Sequence, residues 1–530
     1  MPSTAKRLAA VLLVACLACS SAVLAQDPRP AATQDPRPLM AKANAAYEAK
    51  DFATAARLFV EAASISSAKA GNHYNAACSY ALAGRPDEAF AELQASIDTG
   101  LSGASSPASD TDFTSLHADP RWAPLVARFE AAHPEIAAVK ALRDEKVSIV
   151  RRFAMGRHAI AEGASVTNHL SLFNQFLANQ AQYLGSYDEA SALYGYPSAV
   201  DDAVAAGYTH AADALPVVLA RAHGQRAVFL NEAHGQSQTR AANYALLAGL
   251  RADGFDVLAM ESLKPGPTTA RDATHCSNTT LLDAGLVARG YAVPATAFYA
   301  LDPVYAETVR EALRLGFRLV AYDSLVENGV APREQNQADN LACVFKDDPK
   351  ARLVVIAGFS HIAERRDFWV PGGAMAARFR VATGIDPLTV DSTTQSTVDA
   401  AKITFPTARR APPVSYVLED ANGVPYGTDN FDLALYVPAP SHREDGKPSW
   451  LALGNSRKRI RVELGKCAGV AVCIVQARRI GEQADAIPAD ACVLEAHATG
   501  CTLFLRPGRY EAVAVDGAET VVDRVPLAVK

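Results

Sequence analysis

Seven residues stand where they could move protons or hold a charged group: Glu232, His234, Glu261, Asp323, Arg333, Glu334 and His361. Imidazole titrates near neutral pH, and a carboxylate beside it either raises its basicity or shares a cation with it. Glu232 and His234 stand two positions apart, and His361 follows Gly358, whose missing side chain lets the backbone bend sharply. If a metal were bound, Glu232, His234 and His361 would be its candidate ligands. Arg333 can hold an anionic group or pair with Glu261 or Glu334. Plainer readings exist for some residues. A helix amino end welcomes Glu334 for dipole reasons alone, and Asp323 can be a turn cap. A solvated helix face explains Glu364, and surface or capping roles explain His210, His223 and His275.

These side chains form one centre only if the backbone delivers them to one place. Ala227-Val228-Phe229-Leu230 runs into Asn231-Glu232-Ala233-His234, and Val257-Leu258-Ala259-Met260 runs into Glu261. Leu319-Val320-Ala321-Tyr322 runs into Asp323, and Leu353-Val354-Val355-Ile356 leads to Gly358 and His361. Helix-period stretches lie between them, at 239–250 and 303–315. Short uninterrupted apolar runs separated by helices are the pattern of a parallel sheet buried on both faces. In such a sheet the carboxyl ends of the strands line one edge, where open α/β sheets hold their ligands. Pro332 is expected just before the first turn of a helix that brings Arg333 to the same edge.

Absent motifs narrow the chemistry. The chain has no G-x-S-x-G elbow and no H-E-x-x-H, which removes the usual serine esterases and the common zinc peptidases. No Gly-rich phosphate loop follows the first strand, so nucleotide binding is disfavoured.

Asn231-Glu232-Ala233-His234-Gly235, the strand ending in Glu261, the run from Arg333-Glu334 to Asn340, and Gly358-Phe359-Ser360-His361 carry a resemblance. Together they resemble the superfamily of erythromycin esterases, ChaN-like haem-binding lipoproteins and Tiki/TraB metalloproteases, over about residues 210–400. The resemblance implies an α/β fold with its site on the carboxyl edge, and places Glu232, His234, Glu261, Arg333 and His361 at motif positions. It implies His234 or His361 as general base in esterase-like members. Chemistry within the superfamily spans ester hydrolysis, metal-dependent peptide cleavage and haem binding. Two classes of function follow. One is a hydrolase acting on a small-molecule or peptide substrate, with or without a divalent metal; the other is a haem- or metal-binding protein.

The rest of the chain frames this domain. At 530 residues it exceeds a single core, and 49% hydrophobic with 20% charged residues describes a globular protein. The net charge of −6 points away from nucleic acid and from anionic membranes. Residues 1–25 read as a secretory signal, with Lys6-Arg7, an apolar stretch and Val23-Leu24-Ala25 as the cleavage site. Leu13-Val14-Ala15-Cys16 is a rival lipoprotein box that would lipidate Cys16 and attach the chain to a membrane. Either route places the protein in the periplasm or outside the cell.

A repeated Gln-Asp-Pro-Arg-Pro makes 26–38 a disordered linker. In 39–134, Ala43 matches Ala77, Ala55 matches Ala89, and Phe59 aligns with Leu93, an offset that resembles tetratricopeptide repeats able to dock a protein partner. A helical lead-in, with helices at 170–184 and 211–222, opens the central domain of 135–404. A linker at 405–413 precedes a β-sandwich-like module over 414–530, with strands expected at 415–418, 433–437, 459–464, 502–505 and 510–515. Cys467, Cys473, Cys492 and Cys501 cluster there and read as two local disulfides. Cys276 and Cys343 can pair with each other, and Cys78 reads as core.

Overall fold

In the computed structural model, residues 36–530 are described apart from 67–68, 102–105, 145, 165, 167–170, 196–201, 265–283, 324–329, 394–403, 405–414, 438–442, 445–446, 471 and 496–497. The expected leader, Cys16, most of the 26–38 linker, His275, Cys276 and the 405–413 linker therefore lie outside the described residues. The chain divides into two compact units, one covering Met1–Leu101 and Pro107–Ala127, the other Ser102–Ser106 and Arg128–Lys530.

The first unit is helical, with Arg37–Glu48, Phe52–Ile65, Lys69–Leu82 and Pro86–Asp98 packed in sequence. Alanines make the close crossings: Ala43, Ala55 and Ala76 are fully buried around Phe59, and Ala77 and Ala89 are buried around Leu93 and Phe113. Cys78 is buried here as a free thiol, as a core reading requires, yet its Sγ faces Asp110 Oδ2 at 3.7 Å.

A six-stranded parallel sheet forms the centre of the second unit. Before it runs β1 (His210–Asp213). The sheet contains β2 (Ala227–Glu232), β3 (Val257–Met260), β4 (Arg318–Val320), β5 (Leu353–Gly358) and β6 (Leu388–Asp391). After β7 (Tyr416–Glu419), β8 (Leu433–Ala434) completes it, in the order β4-β3-β5-β2-β6-β8 with every pairing parallel. Strand periodicity sends Val228, Leu230, Leu258, Met260, Val354 and Ile356 into one core and Phe229, Ala259, Leu353, Val355 and Ala357 into another. Both faces are covered, so β2, β3 and β5 are apolar through their centres, while β6 carries the buried Thr389. The connections carry the helices Ser237–Ala252, Pro303–Leu315, Val330–Asp347 and Met375–Thr383.

Three expectations change. The run at 211–222 is not one helix: it begins as β1, which pairs antiparallel with β7, and becomes helical only at Ala214–Ala222. The segments expected to open the C-terminal module belong to the central domain, because β7 takes β1 and β8 takes β6 as partner. These pairings join segments far apart in the chain, so no local pattern could announce them. The helix carrying Arg333 starts at Val330, so Pro332 sits inside its first turn.

The C-terminal part is antiparallel. After the short pair β9 (Arg443–Glu444) and β10 (Lys447–Pro448) come β11 (Lys458–Glu463), β12 (Val472–Arg479), β13 (Asp490–Glu495), β14 (Gly500–Leu505), β15 (Gly508–Asp516) and β16 (Val521–Val529). The pair β11-β14 and the sheet β13-β12-β15-β16 share one core around Leu503, Val475 and Ala512. Disulfides Cys467–Cys473 and Cys492–Cys501 are in place, as the clustering suggested. Cys343 is also disulfide-bonded. No described helix is long and apolar enough to cross a membrane.

Candidate functional site

The four strand ends do converge. Glu232 is the last residue of β2, and the turn after it brings His234 back so that Nδ1 lies 2.8 Å from Glu232 Oε1. The His234 ring lies against Gly358 at the end of β5. A Cβ on Gly358 would stand 2.2 Å from His234 Cε1 and 2.6 Å from Nε2, so only glycine admits the ring. Tyr299 stacks on the ring at 4.0 Å between centroids, and Phe359 meets it edge-on at 4.9 Å. Gln182 Nε2 donates to the His234 carbonyl at 2.9 Å.

A second imidazole–carboxylate pair faces the first. His361 Nδ1 lies 2.7 Å from Glu334 Oε1, and the other Glu334 oxygen accepts from the Met375 N–H at 2.8 Å. His361 Nε2 points towards Glu261 Oε1 at 3.6 Å and Arg333 Nη1 at 3.4 Å. Glu334 therefore orients His361. Of the three expectations for Arg333, the pairing with Glu261 is realised, at 2.8 Å, and the pairing with Glu334 is not. Asp323 is no simple cap: it grips Arg333 with two bonds, Nε to Oδ1 at 3.0 Å and Nη2 to Oδ2 at 2.8 Å. Asn340, at the end of the run that contains Arg333, fastens the helix to the end of β4 through the Tyr322 carbonyl at 2.8 Å.

Glu261 occupies the centre, with one oxygen on Arg333 and the other accepting from the Gly358 N–H. Burial presses its carboxyl upward, but His361, His234, Arg333 and the Gly358 N–H outweigh this and hold its pKa down to about 2. Burial also presses Glu232 upward, and Arg240 with His234 overrides it, leaving the group below its ordinary value. Burial lowers His361, yet Glu261 and Glu334 prevail and its pKa is raised. The surroundings thus favour the ionised forms of Glu261 and Glu232, and the two carboxylates beside His361 favour its protonated form.

Sequence reasoning missed Arg240, Asp302 and Tyr299. Arg240 Nε lies 3.0 Å from Glu232 Oε2, and its Nη1 bonds Asp302 Oδ2 at 2.7 Å. One signal was available: a cation near the amino end of a helix opposes the helix dipole, so Arg240 implied an acidic partner. Elsewhere, exposed His223 pairs with Asp253 at 2.7 Å, and His210 lies exposed on β1. Glu364 is not on a solvated helix; it is half-buried and accepts from the Thr389 hydroxyl.

The metal candidates Glu232, His234 and His361 are spread over the two pairs: each imidazole has its Nδ1 on a carboxylate, which leaves Nε2 as the nitrogen a cation would use, and Arg333 Nη1 lies 3.4 Å from that of His361. Among the described residues, the converging group of metal-type ligands is Cys78, Asp110 and Asp112, in the helical unit.

No family model matches the chain, and neither does any curated protein. Solved structures similar to it include one described as bacterial protein toxins, 11% identical over 70% of this chain and 96% of that one, TM-score 0.23. Another is RRSP, a MARTX toxin effector domain from Vibrio vulnificus CMCP6, 13% identical over 70% and 92%, TM-score 0.23. A third is the C-terminal region of Pasteurella multocida toxin, described as having a thiol-protease-like catalytic triad, 13% identical over 67% and 54%, TM-score 0.23. At these values no residue role passes to this chain.

Proposed function

We propose that the chain is an exported hydrolase that activates water at the carboxyl edge of its parallel sheet and cleaves an ester or amide. The observation that carries this reading is the pairing of two imidazoles, each with its own carboxylate, around Glu261. Ionised Glu232 accepts from Nδ1–H of His234 and so leaves the Nε2 lone pair as base. His234 takes a proton from water as the hydroxide oxygen bonds to the carbonyl carbon. The oxyanion is met by protonated His361 and Arg333 Nη1, and collapse expels the alcohol or amine, which takes the proton back from His234. Phe359 and Trp369, 37% and 48% exposed and edge-on to His234 and His361 respectively, suit an apolar substrate group at the mouth.

The resemblance to the erythromycin esterase and ChaN-like superfamily supports a site at this edge, with ester hydrolysis as one of its chemistries and haem binding as another. Two disulfides are consistent with export. On the same footing, the N-terminal helices are proposed as a tetratricopeptide-like unit docking a protein partner, and the C-terminal strands as a β-sandwich-like accessory.

The test uses the full chain, with His234→Ala and His361→Ala, against a panel of aryl esters and anilides, together with metal analysis and an absorbance spectrum of the wild type. Turnover in the wild type that falls by at least about a hundredfold in both variants is expected. A haem band or stoichiometric metal that both variants lose would establish the haem- or metal-binding reading instead. An inert, cofactor-free wild type would overturn both.

A further inference from the structure

A cavity of about 1110 Å³ opens in the second unit away from the histidines, between the helical lead-in, the turns at 294–301 and the C-terminal sheet. Its volume exceeds the roughly 300–1,000 Å³ usual for small-ligand pockets, leaving room for a headgroup and a chain. One wall is apolar, built by Ile149, Phe176, Phe298, Leu301, Val513 and Val515, with Phe176 and Phe298 edge-to-face at 5.4 Å. Six cations line it: Arg143, Arg152, Lys264, Arg478, Arg479 and Arg524. Against them stand Glu482, Glu511 and Glu519.

Much of that negative charge is already used. Glu511 is paired with Arg524 at 2.6 Å, and Glu482 with Arg310 at 2.6 Å. Among the described residues, Arg143, Lys264 and Arg478 have no carboxylate partner. A positive cavity with a hydrocarbon wall is unexpected in a chain of net charge −6, and the two features call for one ligand chemistry.

We propose that this cavity binds an anionic amphiphile as a monomer, its phosphate or carboxylate head among Arg143, Lys264 and Arg478 and its apolar body along Phe176, Phe298 and Val513. The proposal does not depend on the hydrolase reading, because neither His234 nor His361 lines the cavity.

Isothermal titration of the full chain at low salt tests it, with decyl phosphate, inorganic phosphate and decyltrimethylammonium as probes. One-to-one binding of decyl phosphate is expected, at least about tenfold tighter than either other probe. The triple reversal Arg143→Glu, Lys264→Glu and Arg478→Glu should weaken decyl phosphate by about tenfold or more, with cooperative melting as the check that the variant is folded. Ala295→Trp, at an exposed lining position, should block binding by filling space with no change of charge. Equal affinity for the anionic and cationic amphiphiles, binding untouched by both variants, or binding to phosphatidylglycerol vesicles without binding of the monomer would each overturn the proposal.

Discussion

His234 can offer Nε2 because Glu232 holds its Nδ1, and it can lie where it does because residue 358 has no Cβ. Each condition fails separately. Gly358→Ala places a methyl about where the ring edge now lies, so the ring must rotate away from Glu232. Loss of turnover with a stability cost of about 1–3 kcal/mol is expected, read from kcat and thermal melting. Unchanged kcat would remove His234 from the reaction. The same residues set a pH dependence. Glu261 is held down to about 2, so its stabilising contribution is present above the unfolded carboxyl value and is lost as pH falls through about 2. His361 is raised, so its contribution is complete below the unfolded imidazole value of about 6.5 and fades as pH rises through the folded value. The difference in melting temperature between wild type and His361→Gln should therefore shrink as pH climbs past about 6.5. A difference that is constant from pH 5 to pH 9 would mean that His361 carries no proton-linked stability.

Strands announce themselves when both their faces are dry, and this is why β2, β3, β4 and β5 are legible as uninterrupted apolar runs and their polar ends as one site. Glu232, His234, Glu261, Asp323, Arg333, Glu334 and His361 all meet where that pattern puts them. What escaped was pairing that depends on distant segments. The β1-β7 ladder joins His210 to Glu419, and Tyr299 reaches His234 from a turn with no strand pattern of its own. Asn231 shows how much of a strand end is invisible in one dimension. Its Nδ2 donates to the Phe359 carbonyl at 3.0 Å, Asp391 Oδ1 at 2.6 Å and Thr393 Oγ1 at 3.1 Å, and its Oδ1 accepts from the Ser392 N–H at 2.6 Å. It thereby ties together the ends of β2, β5 and β6, and holds Phe359 at a φ of +45° that a bulky residue seldom adopts. Asn231→Ala strands several buried polar groups and should cost about 2–3 kcal/mol in chemical denaturation. A loss below about 0.5 kcal/mol would show that water replaces the amide without penalty.

Over the second unit as a whole, the parallel sheet and the C-terminal strands are held together by charge as well as by packing. Glu307, on the helix between β3 and β4, is buried among four guanidinium groups: Arg310 and Arg457 at 3.6 Å, Arg479 and Arg506 at 3.8 Å. Three of these arginines come from the C-terminal part, so one carboxylate offsets cations that the strands bring to the helix. Arg310 reciprocates by gripping Glu482 with two bonds, Nε to Oε1 at 2.8 Å and Nη2 to Oε2 at 2.6 Å. A buried ion cluster contributes little against a hydrophobic replacement of the whole set, but removing Glu307 takes away the carboxylate that faces buried Arg457 and leaves Glu482 and Glu311 as the anions facing the other three arginines. Glu307→Leu should therefore destabilise by about 3–5 kcal/mol. Hydrogen exchange reports where the loss falls. Protection should drop in Pro303–Leu315 and in β12 and β15 together, because the carboxylate serves both sides of the contact. Replacing Arg457 by Met in the same chain should recover part of the loss, since one of the stranded cations is then gone. Exchange that quickens only in the C-terminal strands, with the helix and β2 still protected, would show that the strands open without the sheet and that Glu307 is a passenger at their contact.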